Sequence, residues 1–200
     1  MRKAASGRLP LDISLELPTT HGAVDLRLGS LLHLTGRHDP NDGLSGIASF
    51  GDEPDATPLE RGLHIAGQVP SIDGGAWIGV AVSGSGGSGL HIASVDLLAG
   101  ELDLLGRPFR ETRVRMNQVN GERIDLDFAG PMLQGQVQVP LAQLAVRGIT
   151  GHLQKLVWPS ASANAEAASE ETSTALPQAL PPLHLDIADL DFADAKLGEA

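Results

Sequence analysis

The sequence predicts an all-β protein, mainly an antiparallel meander, built as a long curved sheet with at most one short helix and a disordered linker. Three observations predict it. Apolar and polar residues alternate with period two in many short segments, which is the pattern of strands with one greasy and one wet face. Gly, Asn, Asp and Pro separate those segments at short intervals. An internal repeat carries a one-residue slip of phase, the mark of a bulge or corner that bends a sheet.

Along the chain, "LDISLEL" (11–17), "AVDLRLG" (23–29) and "LLHLTGR" (31–37) alternate as strands, and "HDPNDG" (38–43) supplies a turn. "LHIAGQV" (63–69) is the next strand. "SIDGGAWIGVAV" (71–82) offers a turn or two of helix that Ser71 or Asp73 can cap, although Gly74, Gly75 and Gly79 weaken it. "ELDLLG" (101–106) and "ETRVRM" (111–116) return to period two, and "NGE" (120–122) turns the chain into the hairpin "RIDLDFAGPMLQGQVQVP" (123–140). There Ile124, Leu126 and Phe128 share a face, as do Leu133, Gly135, Val137 and Val139 after the turn at Gly130 and Pro131. "HLQKLVW" (152–158) closes the strand-rich region.

Residues 159–181, "PSASANAEAASEETSTALPQALP", are small, polar and acidic, and bury too little apolar surface to order the chain. The division is therefore a curved β region over 1–158, a low-complexity linker over 159–181, and the first strands of a following, truncated β module over 182–200. The repeat sets that last boundary. At an 88-residue offset, Val95, Leu97, Ala99, Leu102, Leu104 and Phe109 fall over Leu183, Leu185, Ile187, Leu190, Phe192 and Leu197.

Composition narrows the function. A formal charge of -11 argues against a nucleic-acid partner and against an anionic membrane surface as the docking site. The absence of cysteine removes disulfides and thiolate metal sites and is compatible with cytoplasm or periplasm. No apolar run is long enough to span a bilayer, and Pro10, Asp12, Ser14 and Glu16 interrupt any signal-peptide core, so the chain taken literally stays in the cytosol. An export signal upstream would change that. Aromatic residues are only 3% of the chain, which suits a smooth aliphatic surface and equally a codon bias.

Chemistry-bearing patterns are sparse. "GSGGSG" (84–89) satisfies G-x-G-x-x-G, but "LHIASVDLL" after it alternates like a strand where dinucleotide binding needs a helix. His38, Asp39, Asn41 and Asp42 lack the register of a calcium loop and suit turn chemistry. His64, His91 and His184 sit between apolar neighbours, on the polar face of a strand, where a solvated imidazole is expected. No nucleophile elbow occurs. The sequence predicts no enzyme, no cofactor and no metal.

The elements "LHIAGQVPSIDGGAW" (63–77), "LDLLGRPFRETRVRM" (102–116), "IDLDFAGPMLQGQVQVP" (124–140), "GHLQKLVWP" (151–159) and "ALPPLHLDIADLDFADAKLG" (179–198), in that order, resemble the C-terminal AsmA-like region of the YhdP branch of the AsmA-like family. The resemblance covers roughly residues 60–200 well and the first sixty loosely. It implies a sheet curled into a trough with an apolar interior, part of a longer protein that crosses the periplasm of Gram-negative bacteria from an inner-membrane anchor absent from this chain. It also implies phospholipid as partner, delivery to the outer membrane, and support of its permeability barrier. The groove candidates are then the apolar-face residues Leu102, Leu104, Val114, Met116, Ile124, Leu126, Phe128, Leu133, Val137 and Val139. A closed β-sandwich, a structural or interaction module with those residues as ordinary core, is the alternative.

Overall fold

The structure is a computed structural model that describes residues 11–15, 22–40, 43–51, 61–76, 91–119, 121–159, 182–192 and 195–196. The strands are β1 (Leu11–Leu15), β2 (Gly22–Leu28), β3 (Leu32–Asp39), β4 (Gly43–Phe50), β5 (Leu63–Asp73), β6 (Ile92–Leu104), β7 (Arg107–Val119), β8 (Arg123–Ala129), β9 (Leu133–Pro140), β10 (Ile149–Trp158), β11 (Leu183–Ile187), β12 (Leu190–Phe192) and β13 (Ala195–Lys196). All of them join one sheet, in chain order, with β11 and β12 both laid along β10. Most pairings are antiparallel, as the alternation predicts. The meander is interrupted where β4–β5, β5–β6 and β10 with β11 and β12 pair in parallel. Residues 160–181 of the 159–181 linker and the Gly/Ser loop (84–89) lie outside the described residues.

Among the described residues two helical turns accompany the sheet. Residues 74–76 form one, and Asp73 Oδ1 accepts a hydrogen bond from the Ala76 N–H at 3.0 Å, the capping role expected of Asp73. Leu144–Arg147 forms a second, which the sequence did not signal. No described helix is long and apolar enough to cross a membrane.

Register is what organises the sheet. Leu28, Leu32, Phe50, Gly67, Leu97, Val114, Phe128, Gly135, Leu153 and Ile187 are successive cross-strand partners from β2 to β11. A second ladder runs beside it through Leu26, Leu34, Ala48, Ile65, Val95, Met116, Leu126, Val137, Gly151 and Leu185. Both ladders continue onto β1, at Leu11 and Ile13. Between them runs a ladder that is polar except at Ala66, through Arg27, His33, Ser49, Ala66, Asp96, Arg115, Asp127, Gln136, His152 and Asp186. With strands about 4.8 Å apart, the apolar tracks extend roughly 50 Å along the hydrogen-bonding direction. The buried core lies along the same face: Leu97 is 1% exposed, Val139 2% and Ala99 0%.

The slip of phase is a corner shared by three strands. Inward positions jump from Val69 to Ile72 in β5, from Ala99 to Leu102 in β6 and from Thr112 to Phe109 in β7. The cross-strand register stays constant through the jump, so the strands turn together and no residue is looped out. Glu111 takes up the bend with φ 49, and the buried Thr112 hydroxyl donates to the Arg110 carbonyl at 3.1 Å. A corner recurs in β10, where inward positions jump from Leu153 to Leu156, here with a register shift against β9 between Leu153 and Lys155. The Ala188 N–H donates to the Leu153 carbonyl and the Leu156 N–H to the Asp189 carbonyl, at 2.9 and 2.8 Å, which carries β11 and β12 around it.

Pairing reproduces the sequence repeat residue for residue. Val95 faces Ile65 as Leu183 faces Ile149, Leu97 faces Gly67 as Leu185 faces Gly151, and Leu102 faces Ile72 as Leu190 faces Leu156. The next hairpin begins alike, with Asp191 opposite Lys196 as Asp103 is opposite Pro108. β4 is the strand the sequence hid. Its face is built from Gly46, Ala48 and Phe50, and Gly46 lies against Gly36 so closely that a Cβ on either would collide with the other strand's backbone.

Gly67 tests this packing. It has φ 121, and a Cβ there would run into the Phe50 backbone. Gly67→Ala should lower unfolding free energy by roughly 3 kcal/mol. Leu98→Ala, on the opposite face, should change it by about 0.5 kcal/mol or less. Urea denaturation of the two variants checks the difference.

Candidate apolar groove

The apolar ladders leave a groove on their face, spanning β5 to β9. It is lined by Ile72 and Gly74 from β5 and the turn after it, Val95, Leu97, Leu102 and Leu104 from β6, Val114 and Met116 from β7, Ile124, Leu126 and Phe128 from β8, and Val139 from β9. Every one is apolar or glycine. The groove holds about 620 Å³ of empty space, open solvent included. Among the described strands no second sheet covers it, because all belong to one sheet.

Local sequence explains why the groove opens here. β6 and β7 are each 13 residues long, whereas β8 and β9 are shorter, so the β6–β7 arm reaches past the β8–β9 hairpin. At Gly74 the wall has no side chain, and a Cβ built there would strike the Leu104 side chain. The groove floor is a run of in-register aliphatic residues flanked by the three-strand corner, which lifts Ile72 and Leu102 around one side.

Of the ten residues expected to form a groove, Leu102, Leu104, Val114, Met116, Ile124, Leu126, Phe128 and Val139 line it. Leu133 and Val137 do not. Leu133 is 3% exposed and faces Leu156 of β10. Val137 leans over Gly151, where it would contact any added side chain, and so closes on β10. Ile72, Gly74, Val95 and Leu97 were not expected as lining. Val95 and Leu97 carried a signal in the repeat; Ile72 and Gly74 sat in a stretch read as helical.

The opposite face is polar and ion-paired. Arg113 grips Asp96 with both arms, Nε to Oδ1 at 2.6 Å and Nη2 to Oδ2 at 2.8 Å, and Arg115 Nε approaches Oδ2 at 3.5 Å. The Arg113 hydrogen bond holds the Asp96 carboxyl below its ordinary 3.8, against a smaller opposing effect of burial. His33 does the same for Asp25 through a 3.0 Å contact to Oδ2. His64 departs from the expected solvated imidazole. Its Nδ1 meets the Ser94 hydroxyl at 2.7 Å, while Nε2 is buried with no partner. Its strand neighbours on that face, Ile47 and Ser94, leave no carboxylate to complete a catalytic arrangement. His91 and His184 are exposed, as expected. Among the described residues no group of three or more His, Asp or Glu side chains is placed to hold a metal.

Against known proteins, the family model described as YhdP protein matches residues 1–200. The chain belongs to the YhdP protein family. No curated protein and no solved structure matches it. The YhdP match runs through the whole chain, the N-terminal sixty residues included, which the ordered motifs covered only loosely.

Asp96→Asn provides a pH test of the polar face. Asp96 has a depressed folded pKa, so its contribution is present above 3.8 and is lost as pH falls through the folded value. The pair is partly exposed, 48% for Arg113 and 40% for Asp96, and solvent screening limits the loss to about 1 kcal/mol or less at pH 7. Thermal denaturation at neutral and strongly acidic pH should show the variant less stable in the first and equal to the parent in the second.

Proposed function

We propose that this chain is a segment of a periplasm-spanning lipid-transport bridge, anchored in the inner membrane through the rest of a longer protein, whose groove holds phospholipid acyl chains. The reading supports delivery of phospholipid to the outer membrane and maintenance of its permeability barrier. The observation that carries it is the pair of in-register apolar ladders, unbroken from β1 to β11, with an aliphatic groove opening on their face.

The work is done by solvation and not by bond chemistry. An acyl chain lying on the half-buried Leu104, Val114 and Leu126 removes apolar area from water on both sides, at roughly 25 cal/mol per Å². A headgroup kept at the solvent-open mouth retains its water, so moving along the groove carries no desolvation cost for the charged end. Because successive strands present the same residue class, neighbouring positions along the ladder offer similar binding free energies. That equality is what lets a bound chain slide. No catalytic residue, cofactor or metal takes part, and the partner is phospholipid, not nucleic acid.

The sandwich alternative draws on the deep burial of Leu97, Leu102 and Val139. It needs a second sheet, and none is found among the described residues.

Protein purified from a Gram-negative host and extracted with organic solvent should yield phospholipid detectable by mass spectrometry. Leu104→Glu, at a half-buried lining position, should retain its fold by circular dichroism and lose about tenfold or more of that lipid, because a carboxylate cannot be buried against an acyl chain without losing its water. A lipid-free parent protein would overturn the proposal.

A further inference from the structure

We propose that Arg107 is the headgroup contact of the acyl groove, a guanidinium at its mouth that takes the phosphodiester of a bound phospholipid. The inference rests on the groove reading above and adds the chemistry of the lipid's polar end. Register carries it. Arg107 pairs with the lining residue Leu104, so the two share the groove face at the last row before the β6–β7 turn. Among the described residues that register places on this face of β5 to β9, Arg107 is the single charged one. Thr112 and Gln118 are polar, and the others are apolar or glycine.

Hydrogen bonding leaves the guanidinium half used. Nη1 donates to the Pro159 carbonyl at 3.1 Å, a reach from β7 to the end of β10 that fixes the planar group. Nε and Nη2 have no partner among the described residues, and Arg107 pairs with no carboxylate there. These two nitrogens form the edge with which Arg113 grips Asp96, one nitrogen to each carboxylate oxygen. Two oxygens of a phosphodiester present the same fork. Arg107 is half-buried, so the free edge lies at the border between apolar lining and solvent.

The repeat shows that the fold does not require this charge. Phe192 pairs with Ala195 in the second copy as Leu104 pairs with Arg107 in the first. A cation set beside apolar lining without a counter-ion loses solvation, and the sheet makes the same pairing with alanine. The charge is accounted for by a ligand that is apolar along its length and anionic at its end. Both groups keep water at the mouth, so the contact favours phosphate-bearing lipid only about fivefold. A preference of that size selects a lipid and still releases it to the next position along the ladders.

A competition between two lipids with identical acyl chains tests the contact. Protein is incubated with vesicles of dioleoylphosphatidylcholine carrying a minor share of dioleoylglycerol and separated from them, and its bound lipid is quantified by mass spectrometry. Dividing a variant's ratio of the two bound lipids by the parent's cancels the different ease with which each leaves the vesicle. Arg107→Ala, the residue of the second copy, should lower phosphatidylcholine relative to diacylglycerol about fivefold, with diacylglycerol binding unchanged. Arg107→Lys should keep most of the preference. Should the alanine variant fail to fold, Arg107→Gln, which removes the charge and keeps a donor, carries the same comparison. Titration of the parent with glycerophosphocholine, the headgroup without chains, should show no saturable binding. An unchanged ratio in folded variants, or saturable binding of the chainless phosphodiester, overturns the headgroup contact and leaves the groove standing. Neither lipid bound by the parent overturns both.

Discussion

Cross-strand register is the constraint on which the rest of this structure depends. A strand's side chains alternate with period two, so a one-residue slip in any pairing would send its apolar set to the wet face. Here the partner relations hold through ten successive strands, and Leu28, Leu97, Val114, Phe128 and Leu153 end in one line although they come from sequence far apart. The corner shows how strictly this is kept. β5, β6 and β7 all skip phase at the same level, at Pro70 and Ser71, Gly100 and Glu101, and Arg110 and Glu111, so the sheet bends while its register survives.

Parallel pairing turns that sheet into a repeating unit. β5 beside β6 and β10 beside β11 and β12 each start a corner, a hairpin and a return, and the partner residues correspond one for one. The sheet crosses from one copy to the next through the antiparallel β9–β10 pair, whose register shifts between Leu153 and Lys155.

Much of this was legible in the sequence, for a physical reason. Period two is local, so segments such as Arg123–Ala129 and Leu133–Pro140 declared their faces directly, and Phe128 and Val139 could be placed on the apolar side by counting. The phase slip was likewise visible in the repeat. Which apolar residues face open space was not legible, because that depends on neighbours from other strands. Val137 and Val139 are alike in the sequence, yet Val137 closes over Gly151 while Val139 lines the groove. β4 was hidden because close approach at Gly36 and Gly46 demands small residues, which mimic a loop. Parallel pairing was hidden too, since alternation carries no direction, and His64 lost its solvent through burial that no local pattern records.

The central claim is that lipid, and nothing else, occupies the face that the ladders define. Met116 and Arg115 are adjacent in β7 and point to opposite faces, Met116 lining the groove and Arg115 exposed. A photoreactive amino acid placed at each position in turn, irradiated in living cells and followed by mass spectrometry of the adducts, compares the two faces within one strand. Phospholipid adducts at 116 with none above background at 115 are the predicted result. Equal labelling at both positions, or a protein adduct at 116 in place of lipid, would contradict the account.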